Sequence, residues 1–287
     1  MNKWIIGARP RTLPAAVVPV AVGAAVAVGE PDVHWWRGVL AGVVSLMLQV
    51  GVNYANDYSD GVRGTDDVRV GPARLVGGGL APAHSVKMAA MLSFLAAAMA
   101  GLVLSIVTSP WLLVVGVASI LAGWFYTGGK NPYGYRGLGE LFVFVFFGLV
   151  ATVGTTYVVS ERITALSWQM GVAVGSLACA LLVTNNLRDI ATDREVAKRT
   201  LAVRLGDSRT RTLFVVLVVG GVLVGAAAAW QRGLAALIVI VELVAIRPVR
   251  RVRAGASGRE LIAVLGDTAK VQLVFGVVAT VTLALGA

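Results

Sequence analysis

Stretches of roughly 20 residues without a charged side chain recur along this chain, and each is long enough for a helix to cross the hydrocarbon of a bilayer. They run from Thr12 to Gly29, Gly38 to Asn56, Leu141 to Ser160, Ile163 to Leu187 and Thr212 to Gln231. The interval from Met88 to Gly129 is about twice as long and carries Thr108-Ser109-Pro110 near its middle, so it reads as two helices joined by a tight turn. A shorter stretch from Gly233 to about Ile246 is interrupted by Glu242, and a last one from Leu261 to the end carries Asp267 and Lys270. The pattern predicts an all-α membrane protein of nine transmembrane helices. The composition agrees: 14% of residues are charged and 57% hydrophobic, against roughly 25% charged in an ordinary soluble domain.

The distribution of positive charge sets an orientation. With the N-terminus cytoplasmic, the inner segments are residues 1–11, 57–87, 130–140, 188–211 and 247–260, and they hold 21 of the 25 Lys and Arg residues. Arg37, Arg162 and Arg232 fall in outer turns. The net charge of +10 is thus mostly a feature of the inner face. It suits a bilayer with anionic lipid and a phosphorylated ligand, and it lacks the soluble basic surface that nucleic acid would need. The N-terminal run after Lys3, Arg9 and Arg11 is closed by no convincing Ala-x-Ala cleavage site and is followed by eight more apolar segments, so it is expected to be a span rather than a cleaved signal. Cys179 is the only cysteine and leaves no intramolecular disulfide; two histidines, His34 and His84, argue against a His-based zinc site.

Two acidic clusters stand out against this background. One is Asn53-Tyr54-Ala55-Asn56-Asp57-Tyr58-Ser59-Asp60, continuing to Asp66 and Asp67; the other is Asn185-Asn186-Leu187-Arg188-Asp189-Ile190-Ala191-Thr192-Asp193. Both contain Asn-x-x-x-Asp with a further Asp three or four residues on, a spacing that lines up one face of a helix. Asn53, Asp57, Asp60, Asn185, Asp189 and Asp193 are therefore candidate metal ligands. Such hard oxygens suit Mg²⁺, which takes one or two carboxylates plus substrate phosphates. For Asp66 and Asp67 a solvated loop is an equally good account. The clusters end helices two and six, four helices apart, which suggests two four-helix pseudo-repeats plus a ninth helix around a central cavity, in one domain spanning 1–287. Most of the 34 glycines read as close helix packing.

Cations interleave with these acids: Arg63, Arg69 and Arg74, then Lys130 and Arg136, then Arg188, Arg194, Lys198, Arg199 and Arg204. Inner-face topology explains many of them, yet alternations such as Arg188-Asp189 also suit a metal-bound diphosphate whose remaining oxygens need donors. Gly77-Gly78-Gly79 reads as a loop before a phosphate cradle. In the turn from Tyr126 to Glu140, Tyr133 and Tyr135 read as interfacial aromatics, whereas Tyr126 and Lys130 are expected to face what the acids hold.

Asn53-x-x-x-Asp57-x-x-Asp60, Tyr126-x-x-x-Lys130 and Asp189-x-x-x-Asp193 together resemble the UbiA-type intramembrane prenyltransferases, over essentially the whole chain. Ala8-Arg9-Pro10-Arg11-Thr12-Leu13-Pro14, Gly71-Pro72-Ala73-Arg74-Leu75-Val76 and Lys198-Arg199-Thr200-Leu201-Ala202-Val203-Arg204-Leu205-Gly206 resemble the menaquinone-pathway branch. That branch places no Asp at Gly64; Asp66 is the nearest acid. The resemblance implies a Mg²⁺-dependent enzyme of the cell membrane that joins polyprenyl diphosphate to 1,4-dihydroxy-2-naphthoate. It implies catalytic roles for Asp66, Tyr126 and Lys130, with Arg63, Arg74, Lys130, Arg136, Arg188 and Lys198 on the diphosphate and Arg9 or Arg11 on the acceptor carboxylate. Phe142 and Phe146 would wall the allylic cation. Other aromatic acceptors, a CDP-alcohol phosphotransferase (whose dense Asp-Gly-x-x-Ala-Arg pattern is absent) and a transporter are the alternatives.

Overall fold

The computed structural model describes residues 2–65, 74–233 and 235–287, all helices and turns without a strand. The helices are α1 (Lys3–Ala8), α2 (Pro14–Val26), α3 (Trp35–Arg63), α4 (Ala83–Val107), α5 (Trp111–Phe125), α6 (Gly139–Val143), α7 (Ala151–Ser160), α8 (Ala165–Arg188), α9 (Ile190–Glu195), α10 (Leu201–Ala229), α11 (Ala235–Val239), α12 (Val241–Arg253) and α13 (Glu260–Leu285). A π-helical turn, Phe144–Val150, joins α6 to α7 into one rod.

By length and composition, six helices among the described residues can cross a membrane: α3, α4, the α6–α7 rod, α8, α10 and α13. The pair Lys3–Thr12 and Pro14–Val26, bent by 51°, makes a seventh, and α5 is a shorter apolar helix. The expected break at Thr108-Ser109-Pro110 separates α4 from α5. Two expectations need correction. Helix α3 does not stop at Asp57 but runs to Arg63, where Gly64 takes the left-handed conformation (φ 72°) that closes it. Asp267 and Lys270 do not interrupt α13, because Arg247 (3.3 Å) and Arg251 (3.7 Å) from α12 partner the carboxylate.

Local chemistry accounts for several helix ends. Thr164 and Ser167 form a capping box at the start of α8, and Thr200 accepts from the Val203 N–H to start α10. Helix α8 lies at the centre, against α10, α13, α2 and the π-turn. Met170, Val174 and Leu177 of α8 are buried with Val18, Phe214, Phe275 and Leu283. In lipid such contacts stabilise through close packing rather than water exclusion. Gly148 shows how close: a Cβ there would lie 2.5 Å from the Gly175 Cα. The opposite surface is apolar and unpartnered, with Val39, Ile106, Trp111, Leu243 and Val277 exposed, as a lipid-facing belt requires.

Candidate active site

A polar cavity of about 150 Å³ opens between the C-terminal ends of α3 and α8. From the first acidic cluster it takes Asn53, Asn56 and Asp60, from the second Asn185, Asn186 and Asp189, and around them stand Arg9, Arg74 and Lys198. A second cavity of about 270 Å³, almost wholly apolar, runs between α3, α4, α5 and the α6–α7 rod and is lined by Phe142, Phe146, Leu104 and Val158 among others. Val52, Tyr126, Val143 and Phe147 line both, so the two meet at Tyr126.

Chain entry into the site is set by Arg9. It is left-handed (φ 53°), between α1 and the turn Pro10–Thr12, an uncommon conformation for a residue with a Cβ. The turn aims Arg9 inward, where its Nη2 donates to the Asn53 carbonyl (3.2 Å), and leaves Arg11 exposed. The Asn53 amide nitrogen donates to the Ala8 carbonyl (2.9 Å) and to Thr12 Oγ1 (3.0 Å), while its Oδ1 accepts from the Gln49 amide (3.3 Å) and keeps one further lone pair for a ligand.

The acids are held in different ways. Asp60 Oδ1 accepts from the Tyr135 hydroxyl at 2.7 Å. Asp57 is 1% exposed and does not line the cavity; its two oxygens accept from the backbone N–H groups of Leu75 and Val76, each at 2.9 Å. Asp189 receives Arg188 bidentately, with both bonds 2.7 Å. Asp193, also buried, lies 3.5 Å from Lys198 Nζ and so steers that ammonium to the cavity wall.

The turn from Tyr126 to Glu140 differs most from expectation. Lys130 and Arg136 are exposed and line neither cavity. Arg63 donates to the carbonyls of Thr127 and Gly129 and lies 5.4 Å from the Tyr135 ring, so it braces the turn from outside the cavity. Tyr135, expected as a membrane-interface aromatic, instead links the first acidic cluster to the segment after the second: it donates to Asp60, Lys198 sits 5.1 Å over its ring, and its carbonyl accepts from the Arg199 N–H. Tyr133 donates to the Ala122 carbonyl and stacks on Phe142 at 3.9 Å, forming a wall of the apolar cavity. Burial, then the negative charge of Glu140, holds the Tyr126 hydroxyl well above the usual tyrosine range. Asp66 lies outside the described residues.

The oxygens of Asn53, Asp60, Asn185 and Asp189 fit a hard divalent cation. Among the described residues no three acids, histidines or cysteines are grouped closely enough to hold one unaided. The site residues that motif spacing did not single out are Asn56, Asn186, Tyr135 and Glu140. Asn186 is adjacent to Asn185 in the second acidic cluster, but only Asn185 has the four-residue offset from Asp189.

The family description "UbiA prenyltransferase family" matches residues 16–285. A 1,4-dihydroxy-2-naphthoate octaprenyltransferase of Mycobacterium tuberculosis is 50% identical over 289 residues, covering 99% of this chain and 97% of that protein. The protein of the same name from Escherichia coli is 37% identical over 231 residues, covering 76% and 73%. Among solved structures, an apo UbiA homolog from Aeropyrum pernix superimposes with a TM-score of 0.73 at 15% identity, covering 98% of both chains. A UbiA homolog from Archaeoglobus fulgidus bound to GPP and Mg²⁺ gives 0.70 at 12% identity, covering 98% of this chain and 100% of that one.

Proposed function

This chain belongs to the UbiA prenyltransferase family, and from that premise we propose that it transfers a polyprenyl chain from its diphosphate to 1,4-dihydroxy-2-naphthoate, releasing CO₂ and diphosphate and giving demethylmenaquinol. The observation that carries the reading is the pair of cavities meeting at Tyr126: a cation-lined oxygen site for a diphosphate, joined to an apolar channel for a prenyl chain. Relatives sharing half their sequence over nearly the full length bear naphthoate octaprenyltransferase names, which supports the acceptor.

Arg74 and Lys198 line the polar cavity and bind the diphosphate, sharing its charge as the C–O bond breaks. Asn53, Asp60, Asn185 and Asp189 would hold Mg²⁺, with Asp57 and Asp193 fixing the surrounding backbone and Lys198. When bound, Mg²⁺ supplies Lewis-acid stabilisation of the departing diphosphate. The ring of Tyr126 faces the allylic carbon by cation–π attraction, and Phe142, Phe146 and Phe147 keep water from it. Arg9 pairs with the acceptor carboxylate. The ring carbon bearing that carboxylate forms the new C–C bond, and the C–CO₂⁻ electron pair restores aromaticity as CO₂ leaves. The ring therefore releases no proton, and the site needs no strong base for this step. Lys130 and Arg136 contact the diphosphate only if the turn that carries them moves inward, Arg188 acts on it through Asp189, and Asp66, whose proposed role is catalytic, lies outside the described residues.

In this reading the bent N-terminal pair, α5 and α11–α12 also cross the membrane, giving nine spans in two four-helix halves plus α13, with the site on the cytoplasmic side of the cell membrane. The test incubates purified protein with labelled polyprenyl diphosphate and dihydroxynaphthoate, with and without Mg²⁺. Metal-dependent appearance of prenylated naphthalenediol is expected; transfer only to a different aromatic acceptor would overturn the assignment.

A further inference from the structure

Glu140 is a carboxylate buried at the start of the α6–α7 rod, and none of the steps above uses it. Burying an acid costs unless it is given partners or a task. Its Oε1 accepts from the Asn186 amide nitrogen at 2.8 Å, while its Oε2 is buried without a partner. The residue is also held through its backbone, where the Cys179 thiol donates to its carbonyl at 3.1 Å. The carboxylate is therefore anchored, and its one visible action is on Asn186.

Asn186 in turn lines the polar cavity. An asparagine side chain offers two N–H donors on one arm and an oxygen acceptor on the other, and a free amide can present either. A carboxyl oxygen alongside removes that choice, because only the NH₂ arm can approach it. With the nitrogen turned to Glu140, the oxygen is the arm left for the cavity. The charged lining divides between the donors Arg9, Arg74 and Lys198, suited to phosphate and carboxylate oxygens, and the carboxylates Asp60 and Asp189, which the reading above gives to Mg²⁺. A neutral acceptor among them suits a ligand group that donates. Of the two substrates, the ionised diphosphate has no donor, whereas the dihydroxynaphthoate has two ring hydroxyls.

We infer that Asn186 accepts a hydrogen bond from a ring hydroxyl of the aromatic acceptor, and that Glu140 is the positioning residue that fixes the Asn186 amide for it. This rests on the naphthoate reading above. The bond places the ring beside Tyr126, whose own ring lies against the start of the same rod: a Cβ on Gly139 would stand 3.2 Å from Tyr126 Cε2. It also helps the chemistry, since a hydroxyl that donates to a fixed acceptor pushes electron density into the attacking ring.

The experiment compares wild type, Asn186→Leu and Glu140→Gln, purified in detergent. Kinetic constants are measured for dihydroxynaphthoate and for polyprenyl diphosphate, together with competitive inhibition by 1-hydroxy-2-naphthoate and 4-hydroxy-2-naphthoate, each of which lacks one hydroxyl. Asn186→Leu should raise the KM for dihydroxynaphthoate about tenfold or more, with the KM for the diphosphate unchanged. Binding of one mono-hydroxy analogue should weaken to the same degree, and binding of the other, which lacks the hydroxyl that meets Asn186, should not change. Glu140→Gln can donate to the Asn186 oxygen and let the amide turn, so it should show the same selective pattern with a smaller change. Equal losses for all three aromatic ligands, or a raised KM for the diphosphate, would overturn the inference in favour of a purely structural pair. Should Asn186→Leu not fold, the Glu140→Gln pattern alone decides. Wild-type protein that turns over no dihydroxynaphthoate at all would sink the functional reading itself, and this inference with it.

Discussion

Arg188 grips its own neighbour, Asp189, through two hydrogen bonds of 2.7 Å, and both side chains are almost wholly buried. Adjacent helical residues do not normally face one another. They do so here because α8 ends at Arg188 and Asp189 leaves the helical conformation as its cap. The guanidinium neutralises a carboxylate that the proposed chemistry needs charged.

Removing one partner of a buried ion pair is destabilising, by up to roughly 3–5 kcal/mol where nothing else offsets the charge left behind and by less where other contacts to it remain. Arg188→Met should therefore lower the melting temperature sharply in the absence of ligand. Mg²⁺ with inorganic diphosphate should restore part of the loss, since a divalent cation on Asp189 replaces the missing guanidinium. Scanning calorimetry or dye-based melting in detergent provides the measurement; a variant that melts like wild type would show that the pair contributes nothing.

Asp57 and Asp189 occupy matching places in the two acidic clusters, but Asp57 spends both oxygens on the loop that begins at Leu75. Asp57→Asn keeps one acceptor and turns an N–H toward an N–H. Turnover should fall about a hundredfold, as it does when an electrostatic contact to the transition state is lost or displaced. Asp189→Asn should do the same, and the double variant should be little worse than either single one, because the segment Asp57 holds and the metal Asp189 would hold serve one diphosphate. Proteolysis just after residue 74 should increase in Asp57→Asn and not in Asp189→Asn. Near-normal activity in either single variant removes that residue from the site.

Much of this was legible in the sequence because it depends on length and spacing. An uncharged run of spanning length becomes a helix wherever lipid leaves no other partner for its backbone, and Asn53, Asp60, Asn185 and Asp189 reach one cavity from helix ends. What spacing did not disclose was decided by distant partners. Tyr135 looked interfacial because its acceptor, Asp60, lies 75 positions away. Glu140 looked incidental because Asn186 lies 46 positions on. Lys130 follows Gly129, whose positive φ (77°) redirects the chain, and the expected aim toward the acids does not follow from sequence order.

The turn that carries Lys130 is braced by Arg63, so the two cations should separate in kinetics. Arg63→Met removes two carbonyl contacts, and the turn should loosen against Asp60. The expected result is a loss of kcat with KM for the diphosphate raised as well, on the order of tenfold or more. Lys130→Met should cost less, since Lys130 is exposed and off the cavity wall. If Lys130→Met instead weakens diphosphate binding as much as Arg63→Met, the turn closes on the substrate and the ammonium reaches it.

On the opposite face, Arg37 of α3 pairs with Glu161 at the end of α7 at 2.6 Å. The hydrogen bond from Arg37, more than any other influence, holds the Glu161 carboxyl below its ordinary value. A carboxylate whose pKa is depressed by folding stabilises the fold above its unfolded value and ceases to do so as pH falls through the folded one. Glu161→Gln should therefore lower the melting temperature at pH 7, and the gap to wild type should close in acid, below the ordinary carboxylate range. A gap that persists unchanged in strong acid would assign the effect to shape rather than charge.

The orientation inferred from 21 inner-face cations can be tested with little background, because Cys179, the only native cysteine, is buried. Ser208 is exposed at the start of α10 on the side of the acidic clusters, and Asp32 lies in the turn between α2 and α3 on the other. Ser59, although close to the first cluster, is buried and would not label from either side. In intact cells an impermeant thiol reagent should modify Asp32→Cys and spare Ser208→Cys, and permeabilising the membrane should expose the latter. The reverse labelling pattern would place the diphosphate site on the outer face, where a cytoplasmic polyprenyl diphosphate could not reach it.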